Sequence, residues 1–292
     1  MFIERQNTSL LPRLFSTRMF SDLMRNGYSH LLDEAVRTTF ISSLISENST
    51  LADVLNDTYV FLQRNYRNEY IYKNVLVNKV LLGTHSLNTS FMLSELPVAS
   101  CKADMVILNG TSTVYEIKTE YDSMERLERQ IAAYRQAFDR INVVTSDKSK
   151  QISQLERLLP VEVGIISLSK KNTFHTVRKA ESNLQNIIPH IIFGILHKRE
   201  YLSVLKKYLG EIPAVPNTQI YREALKKFEL LPLNVIHAEM VSLLKLRGRK
   251  LGKFIQSVPF SLKAMSLKSN FSIGEQQCCI DILNQPISKF LT

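Results

Sequence analysis

Between residues 14 and 82 apolar side chains recur at three- and four-residue spacing, which puts them on one face of successive helices over 14–26, 30–46, 50–63 and 67–82. In the last of these, Ile71, Val75 and Leu82, with Leu76 and Val80 alongside, form the stripe expected to be buried. The period then changes. Residues 91–98, 103–108 and 113–118 are short runs rich in Val, Ile and Leu, and Asn109-Gly110 between the last two is a strong hairpin signal, so an antiparallel meander is predicted. A helix follows, opened by Asp122 with Glu125 three positions on, as in a capping box, and carrying Met124, Leu127, Ile131, Tyr134 and Phe138 as its stripe. Residues 141–145 read as a strand, 148–158 as a helix and 161–168 as another strand.

From about residue 180 the period is helical again, broken at Pro189, Gly210 to Pro216, Pro232 and Pro259. A helix over 233–247 carries Leu233, Ile236, Met240 and Leu244 as its stripe. The pattern predicts an α/β (α+β) chain in three parts: a helical segment at 1–66, a mixed core at 67–170 and a helical, basic region at 171–292.

Composition narrows the class. In 292 residues, 45% hydrophobic and 22% charged, Lys and Arg number 37 against 27 Asp and Glu, a net charge of +10 that favours a polyanionic partner. Nine Gly and nine Pro exclude collagen-like and low-complexity readings. Three cysteines, Cys101, Cys278 and Cys279, make neither a disulfide framework nor a zinc or iron–sulfur ligand set, and reduced thiols in a cytoplasmic protein are expected. Glu4 and Arg5 stand where a secretory signal needs an apolar run. The longest apolar stretch, 187–196, is interrupted by Pro189 and His190 and is half the ~20 residues of a membrane span.

The candidate chemistry lies on the hairpin. Asp104 precedes one apolar strand and Glu116-Ile117-Lys118 ends the next; alternation puts Glu116 and Lys118 on one face of their strand. Asp104 shares that face if residues paired across the hairpin have numbers adding to an even value. A strict two-residue Asn109-Gly110 loop separates them, whereas an odd loop or a bulge with Gly110 in the left-handed region brings them together. Two carboxylates and an ammonium on one face repel or desolvate one another unless a divalent cation lies between them. Mg²⁺ or Mn²⁺ fits, held by Asp104, Glu116 and the backbone carbonyl of Ile117, with Lys118 beside the attacking water and the phosphate. The other reading is that Asp104 caps a strand start while Glu116 to Lys118 form an exposed cross-strand face. Glu95, on the first strand, is a candidate further ligand or a solvated charge. The six histidines show no metal-ligand spacing, and no Ser or Cys nucleophile motif is present.

On the following helix Gln130 and Tyr134 are one turn apart and project together. With these residues the sequence resembles the PD-(D/E)xK nuclease superfamily and, within it, the RecB-like branch marked by a Q-x-x-x-Y helix after the E-x-K strand. The resemblance covers roughly residues 67–169, with Ala103 where the family name has Pro. It implies a restriction-endonuclease-like αβββαβ core without an iron–sulfur cluster, a Mg²⁺-dependent activity on DNA more than RNA, and a place for the first-helix glutamate at Glu69, with Glu34 as competitor. It further implies a role in DNA processing or in defence against phage or plasmid. A non-catalytic nucleic-acid-binding or assembly module on the same fold, and an RNase toxin, are the alternatives.

Residues 240–274 hold seven Lys and Arg and no acid. Arg247, Arg249, Lys250 and Lys253 are the candidate phosphate contacts, with Arg13, Arg18 and Arg25 next; a solvated helix face is the competing reading. No sequence-reading motif is present, so any specificity would be weak or supplied by a protein partner.

Overall fold

A computed structural model describes residues 9–83 and 90–291. The chain divides into two compact units, Met1–Thr84 with Lys250–Thr292, and His85–Arg249. The three-part linear division expected from the sequence is therefore replaced by an insertion: the chain leaves the first unit, builds the second whole, and returns. The helix expected to open the mixed core belongs to the first unit, and the C-terminal region is shared between the two.

In chain order, the first unit begins with a 3₁₀ turn Leu11–Phe15 and helices α1 (Thr17–Asn26), α2 (His30–Thr38), α3 (Leu51–Asn65) and α4 (Glu69–Leu76). The expected 30–46 helix stops at Thr38 because Thr39, extended, turns its hydroxyl back to the Ala35 carbonyl and caps a separate 3₁₀ turn, Phe40–Leu44. The expected 67–82 helix changes at Val77 to a π-helical turn, Val77–Leu81.

The second unit holds one six-stranded sheet in the order β1 (Phe91–Val98), β2 (Cys101–Asn109), β3 (Thr111–Lys118), β4 (Arg140–Ser146), β5 (Gly164–Leu168) and β6 (Phe174–Arg178). The meander β1–β2–β3 and the β5–β6 hairpin are antiparallel, while β3–β4 and β4–β5 are parallel, joined by α5 (Leu127–Arg135) and α6 (Ser149–Leu158). β6 was not expected: Phe174, the histidine and the threonine alternate too briefly among polar neighbours to stand out. The helices α7 (Pro189–Ile195), α8 (Lys198–Leu209), α9 (Asn217–Phe228) and α10 (Leu233–Gly248) follow.

Val106, Leu108, Val114, Ile141, Val143 and Ile165 give the sheet a buried apolar face against Leu127, Ile131 and Tyr134 of α5, Phe138 just beyond it, and Ile236, Met240 and Leu244 of α10. Leu233, expected in that stripe, is exposed at the first position of its helix. α10 runs so close to β1 that a Cβ on Gly248 would meet the Phe91 ring at 1.9 Å. Helices α11 (Gly252–Ser257), α12 (Lys263–Lys268) and α13 (Ile273–Leu283) complete the first unit.

Candidate active site

The β2–β3 turn decides which charged residues meet. Met105 pairs with Tyr115, Leu108 with Ser112 and Asn109 with Thr111, so paired numbers add to an even value throughout. The turn is thus not a plain two-residue Asn109-Gly110 loop; Gly110 alone spans it, at a φ of 70° that favours glycine. Continued by one residue, the register sets Asp104 opposite Glu116 on the same face. Asp104 Oδ2 accepts a hydrogen bond from the Ile117 amide at 2.9 Å, tying the carboxylate to the backbone of the strand that carries Glu116 and Lys118.

Glu116 is only 1% exposed and Lys118 only 5%. Such a pair is costly to bury unless it is satisfied, and α5 supplies the partners. Gln130 Nε2 donates to Glu116 Oε1 at 2.5 Å, and Lys118 Nζ donates to Gln130 Oε1 at 2.9 Å while lying 3.2 Å from Glu116 Oε1. One turn along, the Tyr134 hydroxyl is 2.8 Å from Glu116 Oε2 and 2.8 Å from the Lys102 carbonyl. Burial pushes the Glu116 carboxyl above its ordinary value, against the opposing pull of the Lys118 ammonium and the hydrogen bonds from Tyr134 and Gln130. Burial, followed by the neighbouring Glu116 charge, drives the Tyr134 phenol up as well, so it stays protonated.

Asp122 does not open α5. Its carboxylate instead accepts from the Thr119 amide at 2.8 Å and the Thr119 hydroxyl at 2.7 Å, fixing the turn after β3, and the helix starts at Leu127. Gln151 of α6 adds to this end of the sheet, its Nε2 donating to the Thr119 carbonyl at 3.0 Å.

The structure thus brings together Asp104, Glu116, Ile117, Lys118, Gln130 and Tyr134. Glu69 belongs to the first unit, where it pairs with Lys73 at 2.5 Å; Glu34 is in that unit too. Glu95 sits in β1 with φ 56°, its carboxylate 3.6 Å from Lys102 Nζ. Among the basic candidates Arg247 is a correction: its guanidinium forms a two-pronged ion pair with Glu200, Nε to Oε1 at 2.7 Å, and bonds the Ile195 carbonyl at 2.9 Å, so it joins α10 to the start of α8 rather than facing a ligand. Arg249, Lys250 and Lys253 are exposed, but the unit boundary falls between Arg249 and Lys250.

One residue of this neighbourhood gave no sequence signal. Thr145 pairs with Lys118 across β3–β4, is fully buried, and its hydroxyl has no hydrogen-bond partner among the described residues. Threonine in a β-branched run reads only as a strand former. Ser112, Asp139 and His237 were likewise not singled out as a group, although they form a buried network: Ser112 Oγ lies 2.8 Å from His237 Nε2 and accepts from the Asp139 amide at 3.1 Å.

With an α+β fold and this cluster of charged and amide side chains in place, comparison with known proteins assigns the lineage. The chain belongs to the bacteriophage P4 protein cII family, whose model matches residues 62–266 and so takes in the whole of the second unit. Protein cII of Enterobacteria phage P4 is 25% identical over 167 residues, 55% of this chain and 61% of that protein, so the chain spans less than two thirds of this relative's length. A solved protein of unknown function from Silicibacter pomeroyi is 16% identical, with a TM-score of 0.28 over 44% of this chain and 86% of its own. No helix among the described residues is long and apolar enough to cross a membrane.

Proposed function

We propose that this chain is a metal-dependent nuclease hydrolysing phosphodiester bonds, DNA before RNA, on a restriction-endonuclease-like core of the PD-(D/E)xK type. The observation that carries the reading is the even register of the β2–β3 hairpin, which sets Asp104 beside Glu116 while Lys118, Gln130 and Tyr134 converge on the same carboxylate.

The donor set suits a hard cation. Two carboxylates and the Ile117 carbonyl are oxygen ligands of the kind Mg²⁺ and Mn²⁺ take, with water completing the shell. Among the described residues no group of three or more His, Cys, Asp or Glu side chains is arranged to hold a metal, so this site would depend on backbone and water for the remainder. A cation held there supplies a water of lowered pKa and neutralises charge on the phosphate. Lys118 has three donor protons and its two neighbours engage two of them, leaving one for an anionic oxygen. Gln130 bridges Glu116 and Lys118 and fixes the spacing between carboxylate and ammonium.

A second reading has its own observation. Glu116 already accepts from Gln130, Tyr134 and Lys118 and is almost fully buried, as a purely structural ion pair would be, which favours a non-catalytic nucleic-acid-binding module on the same fold. One experiment separates them. Purified protein is incubated with linear DNA, circular DNA and RNA in Mg²⁺, Mn²⁺ or EDTA, alongside Asp104→Asn, Glu116→Gln and Lys118→Ala. Cleavage by the parent that needs metal and falls below about a hundredth in each variant is the expected result. Full activity in either carboxylate variant removes the site assignment; cleavage of RNA alone selects the RNase alternative; binding without cleavage selects the module.

A further inference from the structure

Parallel pairing brings the C-terminal ends of β3, β4 and β5 to one level. Lys118 pairs with Thr145 and Thr145 with Ser167, so the strand ends form one edge, Lys118 standing about 10 Å from the β5 column at ~4.8 Å per strand. Immediately past that level, β5 turns into β6 through Ser169, Lys170, Lys171, Asn172 and Thr173. The turn is held by its own hydrogen bonds: the Ser169 amide donates to the Thr173 carbonyl at 2.9 Å, the Asn172 amide to the Ser169 carbonyl at 2.9 Å, and the Thr173 amide to Ser169 Oγ at 3.1 Å. Asn172, at φ 58°, takes the left-handed position that asparagine tolerates best after glycine.

Lys170 and Lys171 are therefore carried on the tip of a fixed hairpin, exposed and in no ion pair among the described residues. Lys150, on the first turn of α6 just beyond β4, is also exposed and in no ion pair among the described residues. Of the acids at this edge, Glu120 pairs with Lys148, the exposed Asp122 is engaged by the Thr119 amide and hydroxyl, and Asp147 is exposed. Tyr121, three residues beyond Lys118, is 54% exposed.

We infer that this edge is the nucleic-acid surface of the protein, with Lys150, Lys170 and Lys171 contacting phosphodiester backbone on its way to Lys118. The inference rests on the nuclease reading for its substrate class and deepens it by naming the surface. A strand with phosphates about 3.4 Å apart along its axis covers the distance from the hairpin tip to Lys118 in a few nucleotides. The turn's backbone is already fixed and need not be ordered on binding, and an exposed tyrosine at the same edge suits stacking on an unpaired base. A lipid surface is disfavoured, because the hairpin tip carries no apolar side chain to insert beside its lysines. The surface also replaces the expected basic set, which loses Arg247 to Glu200.

The test uses the full chain, a fluorescein-labelled oligonucleotide in single- and double-stranded form, EDTA to suspend hydrolysis, and a salt series. Lys150→Gln/Lys170→Gln/Lys171→Gln is compared with the parent and with Arg249→Gln/Lys250→Gln/Lys253→Gln. The expected result is a loss of affinity of tenfold or more in the first variant, a slope of log affinity against log salt shallower by about 2 to 3, and an unchanged melting temperature. Parent-like affinity and slope in that variant, or the whole loss in the second variant, overturns the assignment, as does a parent that binds vesicles of 30% phosphatidylserine but neither oligonucleotide. Failure of the nuclease reading is read separately: a parent that binds through these lysines but cleaves nothing in Mn²⁺ or Mg²⁺ keeps the surface and loses the activity.

Discussion

A buried carboxylate two residues from a buried ammonium is stable here because each hydrogen-bonding group has a partner: Glu116 has Gln130, Tyr134 and Lys118, and Lys118 has Gln130. Thr145, beside Lys118, is the exception, a buried hydroxyl whose burial cost nothing among the described residues offsets. Replacing it with valine, which keeps the shape and removes the polar atom, is expected to leave the fold intact and raise stability by about 1 kcal/mol, since an unsatisfied buried group costs about 1–3. Chemical denaturation of Thr145→Val measures this; a loss of 1 kcal/mol or more shows that the hydroxyl has a partner in solution. At this scale the sequence was informative where alternation applies. Glu116 and Lys118 share a face by strand period alone, and Gln130 and Tyr134 share one by helical period. Asp104 was not decided, because its side depends on whether Asn109-Gly110 forms the whole loop, and Gly110 accommodates either turn. Glu69 was assigned by likeness to a helix that the chain puts in the other unit.

Elements were legible in proportion to their length and regularity. β1, α3 and α10 lie within two residues of expectation, whereas the start of α5 was displaced because Asp122 finds a backbone partner behind it, at Thr119, instead of ahead. What pins β3, the α5–β4 connection and α10 together is the network around Asp139, whose carboxylate accepts from Thr111 at 2.7 Å and Ser182 at 2.6 Å, while its amide meets Ser112 and, through it, His237. This network makes stability fall with acid in two windows. Burial holds the His237 imidazole below its ordinary value of 6.5, outweighing the Asp139 charge, so between 6.5 and its folded value the unfolded chain binds the extra proton and stability drops as pH falls. For Asp139 burial alone would raise the carboxyl, but hydrogen bonds from Ser182, Thr111 and the Asn183 amide hold it below the ordinary 3.8; its contribution is complete above that value and lost as pH falls through the folded one. Denaturation midpoints from pH 7.5 to 3 should therefore decline first just below 6.5 and again below 4. His237→Gln should flatten the first decline and keep the second, and a parent curve level between 6.5 and 5 would show that the imidazole is not desolvated as described.

At the level of the whole molecule, the feature that sequence patterning did not reveal is the insertion. An interrupted unit leaves no composition mark: residues 17–83 and 250–291 are both helical with ordinary apolar stripes, and only side-chain pairing tells that they belong together. The pairing is concentrated at Asn74. Its side-chain amide donates to the Phe260 carbonyl at 2.8 Å and its oxygen accepts from the Ala264 amide at 2.9 Å, so one buried residue of α4 satisfies a donor and an acceptor of the returning segment. Tyr70 donates to the Ser261 carbonyl at 2.7 Å, and Ser261 in turn donates to Asn56 Oδ1 at 2.7 Å. An antiparallel bridge of Thr50 with Pro286 joins the far end. Asn74→Ala leaves the buried Ala264 amide without its partner, the Phe260 carbonyl keeping Asn78 Nδ2 at 3.0 Å, and opens a small cavity, a cost of about 1–3 kcal/mol. The core cluster of the sheet is built from residues of the second unit, so that loss should be read locally. Native-state hydrogen exchange of the variant is expected to show faster exchange across α3, α4 and α12, with β2, β3 and β4 exchanging at parent rates. Equal acceleration in the sheet strands would mean that the units unfold as one.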